Sequence, residues 1–278
     1  MTNDLQLALA LADEADAITM RFFRASSLDI RTKVDKTPVT EADLAVETML
    51  RERLARERSD DAIVGEEFGV SGSASRRWII DPIDATKNFM RGIPVFATLL
   101  ALENEVGVVS APALGMRWWA ARGHGAFVRH PERSRGTWAG GGASIEPPIP
   151  PGPSTTLGMT VDRIRVSGIT SIEEAQLSYD DVVSWEKRGL RDRFLELDRR
   201  CGRSRAFGDF WSHMLVAEGA CDIAIEPEVA LWDMAPIQVI VEEAGGRFTD
   251  LAGHARADGG SAVSTNGLLH DAVLEALR

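Results

Sequence analysis

Apolar residues recur at helical spacing over residues 4–24, where Leu5, Ala8, Leu9, Ala12, Ala15, Thr19 and Phe22 share one face and Asp4, Asp13, Glu14 and Arg21 lie off it. That spacing predicts a packing helix. Residues 33–38, charged and ending in Pro38, read as a mobile loop. Thr40 then suits an N-cap and Asp43 the reciprocal third position of a capping box. The helix they open should bury Ala45, Val46, Met49, Leu50 and Leu54 and run out in the charged stretch 51–58. Two short apolar strands follow. Ala62-Ile63-Val64 leads into Gly65-Glu66-Glu67, and Trp78-Ile79-Ile80 leads into Asp81-Pro82-Ile83-Asp84, which reads as a proline-stiffened turn. Apolar runs at 95–101 and 106–111 predict a hairpin in the same sheet. Residues 117–127 continue it, with Trp118 and Trp119 in the core.

The pattern changes over 131–160, where Gly140-Gly141-Gly142 and the proline-rich 147–153 offer nothing for a core to bury. The chain therefore divides into an N-terminal half, 1–130, a surface excursion, 131–160, and a C-terminal half, 161–278. In the second half Leu177-Ser178-Tyr179 reads as a strand, 188–199 as a helix, and 203–211 as a strand-to-helix junction bent at Gly208. The next helix should bury Met214, Leu215 and Ala217, and 221–227 alternates like a half-buried strand. A strongly apolar helix over 237–244, introduced by Asp233 as N-cap and Pro236, stops at Gly245-Gly246. Strands alternating with helices imply a layered α/β or α+β fold.

Composition narrows the function. With 44% hydrophobic residues in 278, the chain can bury a large core, and its net charge of −11 argues against a nucleic-acid partner. Neither a leader pattern nor a run of apolar residues long enough to span a bilayer is present, so a cytoplasmic protein away from membranes is expected. Cys201 and Cys221 lack metal-ligand spacing and read as free thiols.

Some of the acid excess sits at the ends of buried elements. Glu66, Asp81 with Asp84, and Asp233 come from distant segments, and like charges converging there call for a cation between them. No His or Cys lies next to these acids, so oxygen donors favour Mg²⁺, or Mn²⁺, over zinc. The small, polar Ala85-Thr86 step opens a helix whose free amides suit phosphate.

Gly65-Glu66-Glu67, the run from Asp81 through Phe89, Trp232-Asp233-Met234-Ala235-Pro236 and Glu242-Glu243-Ala244-Gly245-Gly246 resemble, in order and spacing, the signatures of the inositol monophosphatase family. The resemblance implies an α+β fold, a layered αβαβα sandwich of the inositol monophosphatase and fructose-1,6-bisphosphatase type. It also implies metal-dependent hydrolysis of a phosphate monoester, and a homodimer. Position by position, it makes Glu66, Asp81, the Ile83 carbonyl, Asp84 and Asp233 the metal ligands. Asp43 and Thr86 would orient the attacking water, with Glu66 helping to activate it, and the amides of Ala85 and Thr86 would hold the phosphate. Such metal ions lower the pKa of the attacking water and neutralise charge on the transferring phosphoryl group. The chain departs from the pattern at Ala85, where the family has glycine; a helical backbone there would tolerate the methyl.

Residues 205–210, 215–219 and 112–123 further resemble the bacterial histidinol-phosphate phosphatases of this family. Asp209 would put a carboxylate where a cationic alcohol leaves, with Arg205 and Glu226 bordering that alcohol. Two alternatives stay open: inositol phosphate or another sugar phosphate as substrate, and a catalytically impaired relative whose proline-rich excursion binds a partner. Asp43, Asp209 and Asp233 each also suit an ordinary helix start.

Overall fold

The computed structural model describes residues 2–25, 29–32, 38–131 and 159–278. The loop expected at 33–38, apart from Pro38, and all but the ends of the excursion at 131–160 lie outside the described residues. The chain opens with α1 (Asn3–Phe22), a small antiparallel pair β1 (Ile30–Thr32) and β2 (Pro38–Thr40), and α2 (Glu41–Glu57). Then come β3 (Ala62–Gly65), β4 (Gly69–Ser71), β5 (Arg77–Asp84), the short α3 (Thr86–Met90), β6 (Ala97–Leu102), β7 (Val106–Ala111), β8 (Met116–Ala121), β9 (Gly125–Pro131) and β10 (Met159–Ile164). β3 to β10 form one eight-stranded sheet in the order β10-β9-β8-β7-β6-β5-β3-β4. Its members are antiparallel neighbours except β3 and β5, which run parallel, so Gly65 and Ile80 reach the same edge together.

A second sheet is built from β11 (Gln176–Tyr179), β12 (Arg203–Arg205), β13 (Ile223–Glu226), β14 (Arg247–Thr249) and β15 (Ala262–Thr265), in the order β12-β11-β13-β15-β14. Its helices are α4 (Val182–Lys187), α5 (Arg191–Arg200), α6 (Asp209–Ala217), α7 (Leu231–Glu243) and α8 (His270–Leu277). The layers follow from where each apolar face is spent. α1 and α2 cover the outer face of the first sheet with Leu11, Leu50 and Leu54 against Trp78, Ile80 and Leu100. α6 and α7 fill the space between the sheets, where Met214, Ile237 and Ile240 meet Ile79, Leu99 and Trp118. α5 and α8 close the far side around Leu177, Phe194, Ile223 and Leu274. This is the α+β, αβαβα sandwich expected.

The middle layer explains why α7 has almost no polar face: from Met234 to Val241 every residue is buried, because both sides of the helix meet protein. Gly107 on β7 permits that contact, since a Cβ there would lie 2.3 Å from the Pro236 carbonyl oxygen. β13 is fully buried rather than half-buried, being flanked by strands and covered on both faces. On α1 the buried stripe takes in Leu7 and Leu11 while Leu9 and Phe22 are only half-buried, and on α2 Ala45 and Met49 are half-buried. α6 buries Ser212 and His213 where Leu215 was expected. Both cysteines are free thiols. Among the described residues no helix is long and apolar enough to cross a membrane.

Candidate active site

Residues 81–84 do not form a turn after β5. They are its last four residues, with a register shift against β6 between Asp81 and Asp84. Pro82 is tolerated because the ladder is already interrupted there, and the Thr98 hydroxyl takes up the Pro82 carbonyl at 2.8 Å. The irregularity aims two carboxylates from one strand end toward a common point. Asp233 reaches the same point from the first turn of α7, and one oxygen from each of Asp81, Asp84 and Asp233 lies within 4.8 Å of the others. Asp233 is the third residue of that helix, not its N-cap. The cap is Ala230, whose N–H donates to Asp233 Oδ2 at 2.7 Å. The helix also starts six residues before the expected 237, leaving Pro236 inside it.

Charge accumulates around these three. Asp81 is 1% exposed. Burial first, then the charges of Glu66, Asp84, Asp233 and Asp43, push its carboxyl well above the ordinary range. Burial and the charges of Asp209, Asp233 and Glu226 do the same to Asp84, opposed by the Phe210 N–H donated to Asp84 Oδ2 at 3.0 Å. Asp43, fully buried in the capping box anticipated with Thr40, is pushed up to about 6 by burial and by Glu66. Its Oδ2 accepts from the Thr40 N–H at 2.8 Å and the Thr40 hydroxyl at 2.5 Å.

Asp43 Oδ1 and Asp81 Oδ1 are buried without a hydrogen-bond partner. Two orphaned carboxylate oxygens among converging acids are what a bound hard cation and its water would satisfy, and the donors are all oxygen. The residues present fit such a group.

The Ala85-Thr86 step, where phosphate binding is expected, departs from the helical backbone read from the sequence. Ala85 is not helical but left-handed, at φ +62°, ψ +44°, immediately before α3. A Cβ in that region costs about 1–2 kcal/mol, partly offset by the greater unfolded freedom of glycine. We expect Ala85→Gly to stabilise the fold by about 0.5–1 kcal/mol, read as a raised urea midpoint with an unchanged slope. The Thr86 hydroxyl donates to the Ile83 carbonyl at 2.9 Å, so the two residues assigned to water and metal are joined directly.

Where the leaving alcohol is expected, Asp209 opens α6 with φ +48° after Gly208. The N-cap is Gly208, not Asp209, and the Asp209 carboxyl is pushed up to about 7 by burial and by Glu226, Asp180 and Asp233. Arg205 stands apart in its contacts, exposed at the end of β12 with its guanidinium on the Ser204 carbonyl at 2.6 Å.

A family profile described as the Inositol monophosphatase family matches residues 1–278. The chain belongs to the inositol monophosphatase family. It is 50% identical to a histidinol-phosphatase of Mycobacterium tuberculosis, over 99% of this chain and 98% of that one. It is 46% identical to a histidinol-phosphatase of Streptomyces coelicolor, over 98% and 96%. Among solved structures, an IMPase of Thermotoga maritima superposes with a TM-score of 0.76 at 29% identity, covering 99% of this chain and 97% of that one. Membership makes the chain a metal-dependent phosphatase acting on small phosphate esters.

Two residues placed beside Glu226 escaped the sequence. Asp180 follows β11, which runs parallel to β13, so it arrives beside Glu226 at the same sheet edge and is pushed up to about 6. The Asp180-Asp181 pair after a strand was the available signal. His213, wholly buried on α6, sets its Nε2 3.1 Å from Glu226 Oε1 and its Nδ1 2.7 Å from Ser264 Oγ. One buried histidine in an apolar helix gives no such signal.

Proposed function

We propose that this member of the family is a Mg²⁺-dependent histidinol-phosphate phosphatase, converting L-histidinol phosphate and water to L-histidinol and phosphate in histidine biosynthesis. The observation that carries the substrate is the surplus of carboxylates beyond the metal group. Burial, followed by the charge of Glu226, pushes the carboxyls of both Asp209 and Asp180 up, an environment that rewards a cation. Histidinol brings an ammonium and an imidazole. Relatives bearing that activity at 46–50% identity over nearly the whole chain support the same reading.

In this reading Glu66, Asp81, the Ile83 carbonyl, Asp84 and Asp233 hold the metal, which when bound supplies Lewis-acid stabilisation of the phosphoryl group. Asp43, whose Oδ1 is buried without a hydrogen-bond partner, and Thr86 orient the attacking water, and Glu66 helps to activate it. The amides of Ala85 and Thr86 grip the phosphate, while Asp209, Glu226 and Arg205 border the leaving alcohol. The reading includes a homodimer working in the cytoplasm.

The test is phosphate release from histidinol phosphate, inositol 1-phosphate and p-nitrophenyl phosphate with Mg²⁺, Mn²⁺ or chelator. Histidinol phosphate should lead by a wide margin, and Asp209→Asn should cut its kcat/KM by about 10–100-fold while leaving the neutral esters within about threefold. Equal rates on all three esters would remove the substrate assignment.

A further inference from the structure

We propose that Glu47 is the positioning residue that sets Glu66, a role resting on the reading of Glu66 as a metal ligand. Glu47, a charged residue of α2 next to the buried Val46, is 0% exposed. Its carboxylate is aimed at the turn between β3 and β4. Oε2 accepts from the Glu67 N–H at 2.8 Å, and Oε1 accepts from the Phe68 N–H at 3.1 Å and from Arg51 Nε at 2.7 Å. Arg51 in turn donates to the Gly69 carbonyl and, at 3.0 Å, to the Ser71 hydroxyl.

Glu66 is thus gripped on both sides. Its own N–H is held by the Ile80 carbonyl at 3.2 Å, next to Asp81, and the two amides that follow it are held by one carboxylate. Gly65 makes the arrangement possible, because a Cβ there would lie 2.0 Å from Glu47 Oε1. The Gly-Glu-Glu run therefore has a packing reason: the glycine admits the Glu47 carboxylate, which fixes the backbone from which Glu66 points. Groups that orient a ligand without touching the metal typically change its affinity 10–100-fold when removed.

The experiment is Mn²⁺ binding to the purified protein without substrate, followed by the EPR signal of free Mn²⁺, on variants whose folding is checked by circular dichroism and thermal melting. Glu47→Gln keeps the shape but offers an amide N–H₂ to one of the two backbone donors. Gly65→Ala disturbs the same contact from the opposite side and stands in should Glu47→Gln not fold. Each should weaken Mn²⁺ binding by about tenfold or more. Asp61→Asn is the control for lost stability. Asp61 accepts from Trp78 Nε1 at 2.9 Å and Arg76 Nη1 at 2.6 Å at the opposite end of β3, and the variant should bind Mn²⁺ within about twofold of the parent while melting lower. Parental Mn²⁺ affinity in folded Glu47→Gln or Gly65→Ala, or an equal loss in Asp61→Asn, overturns the proposal. Glu66→Gln separates the two levels: if it binds Mn²⁺ normally, the ligand reading of Glu66 fails whatever Glu47 does.

Discussion

Asp81→Asn should abolish metal-dependent turnover and, at the same time, make the metal-free protein harder to unfold. The first half follows from the proposed ligand role. A Lewis-acid interaction is worth about 4 kcal/mol at the transition state, so kcat/KM should fall by about three orders of magnitude. The second half follows from repulsion. Asp81 is buried against Glu66, Asp84, Asp233 and Asp43, and its ionised form is opposed by all four. Its Oδ1 has no donor. Asparagine removes one charge from that group and supplies an N–H₂ to a neighbouring carboxylate. In chelator near pH 8, urea unfolding should show a gain of at least about 1 kcal/mol, the equivalent of less than one pKa unit of relieved strain. Added Mg²⁺ should stabilise the parent and not the variant. A variant that loses activity together with metal-free stability would mean that Asp81 serves packing, and the site reading would lose its centre.

Much of this site was legible because its acids stand where apolar runs end, and a carboxylate after a buried strand is conspicuous in one dimension. The Thr40–Asp43 capping box and the hairpin across Glu103–Glu105 were equally visible, since both depend on neighbours in sequence. What stayed hidden depends on neighbours in space. Pro82 within a strand goes against local expectation, and only the ladder irregularity beside β6 accommodates it. Ala85 reads as a helix residue by composition, while its left-handed backbone is imposed by the change of direction from β5 to α3. Nothing in the sequence singles out Glu47, whose partners, the amides of Glu67 and Phe68, lie 20 and 21 residues on. α4 was missed because Asp180-Asp181 gives the look of a turn, although Asp181 is the N-cap, accepting from the Ser184 N–H at 2.8 Å. Sites of this kind break local rules at the positions where they work, so the discrepancies mark chemistry as well as error.

The stabilisation conferred by Mg²⁺ should be small near pH 5 and large near pH 8. In the folded protein Asp43 is pushed up to about 6, Asp209 to about 7 and Asp180 to about 6. The unfolded chain releases the corresponding protons near 3.9. Between about pH 4 and pH 7 the native state therefore holds protons that the unfolded state has lost. By linkage, the stability from these groups is fully present below that window and is lost as pH rises through it. Ionising the acids leaves a crowd of like charges that a divalent cation can neutralise, whereas at low pH the cation must first displace protons. His270 runs the other way. Burial holds it down to about 4, so its contribution is present above about 6.5 and lost as pH falls. It packs on Thr249 and Thr265 at the edge of the second sheet, and because that term is the same with and without metal, it cancels in the difference. Melting curves with chelator and with about 10 mM Mg²⁺ should differ by about 1 °C or less near pH 5 and by about 5 °C or more near pH 8, a few kcal/mol for a chain of this size. The same difference at both values would mean that the acids are already ionised at pH 5. The crowding that here selects a divalent cation, and in the proposed reading a cationic alcohol beside it, would then not be the property that governs this pocket.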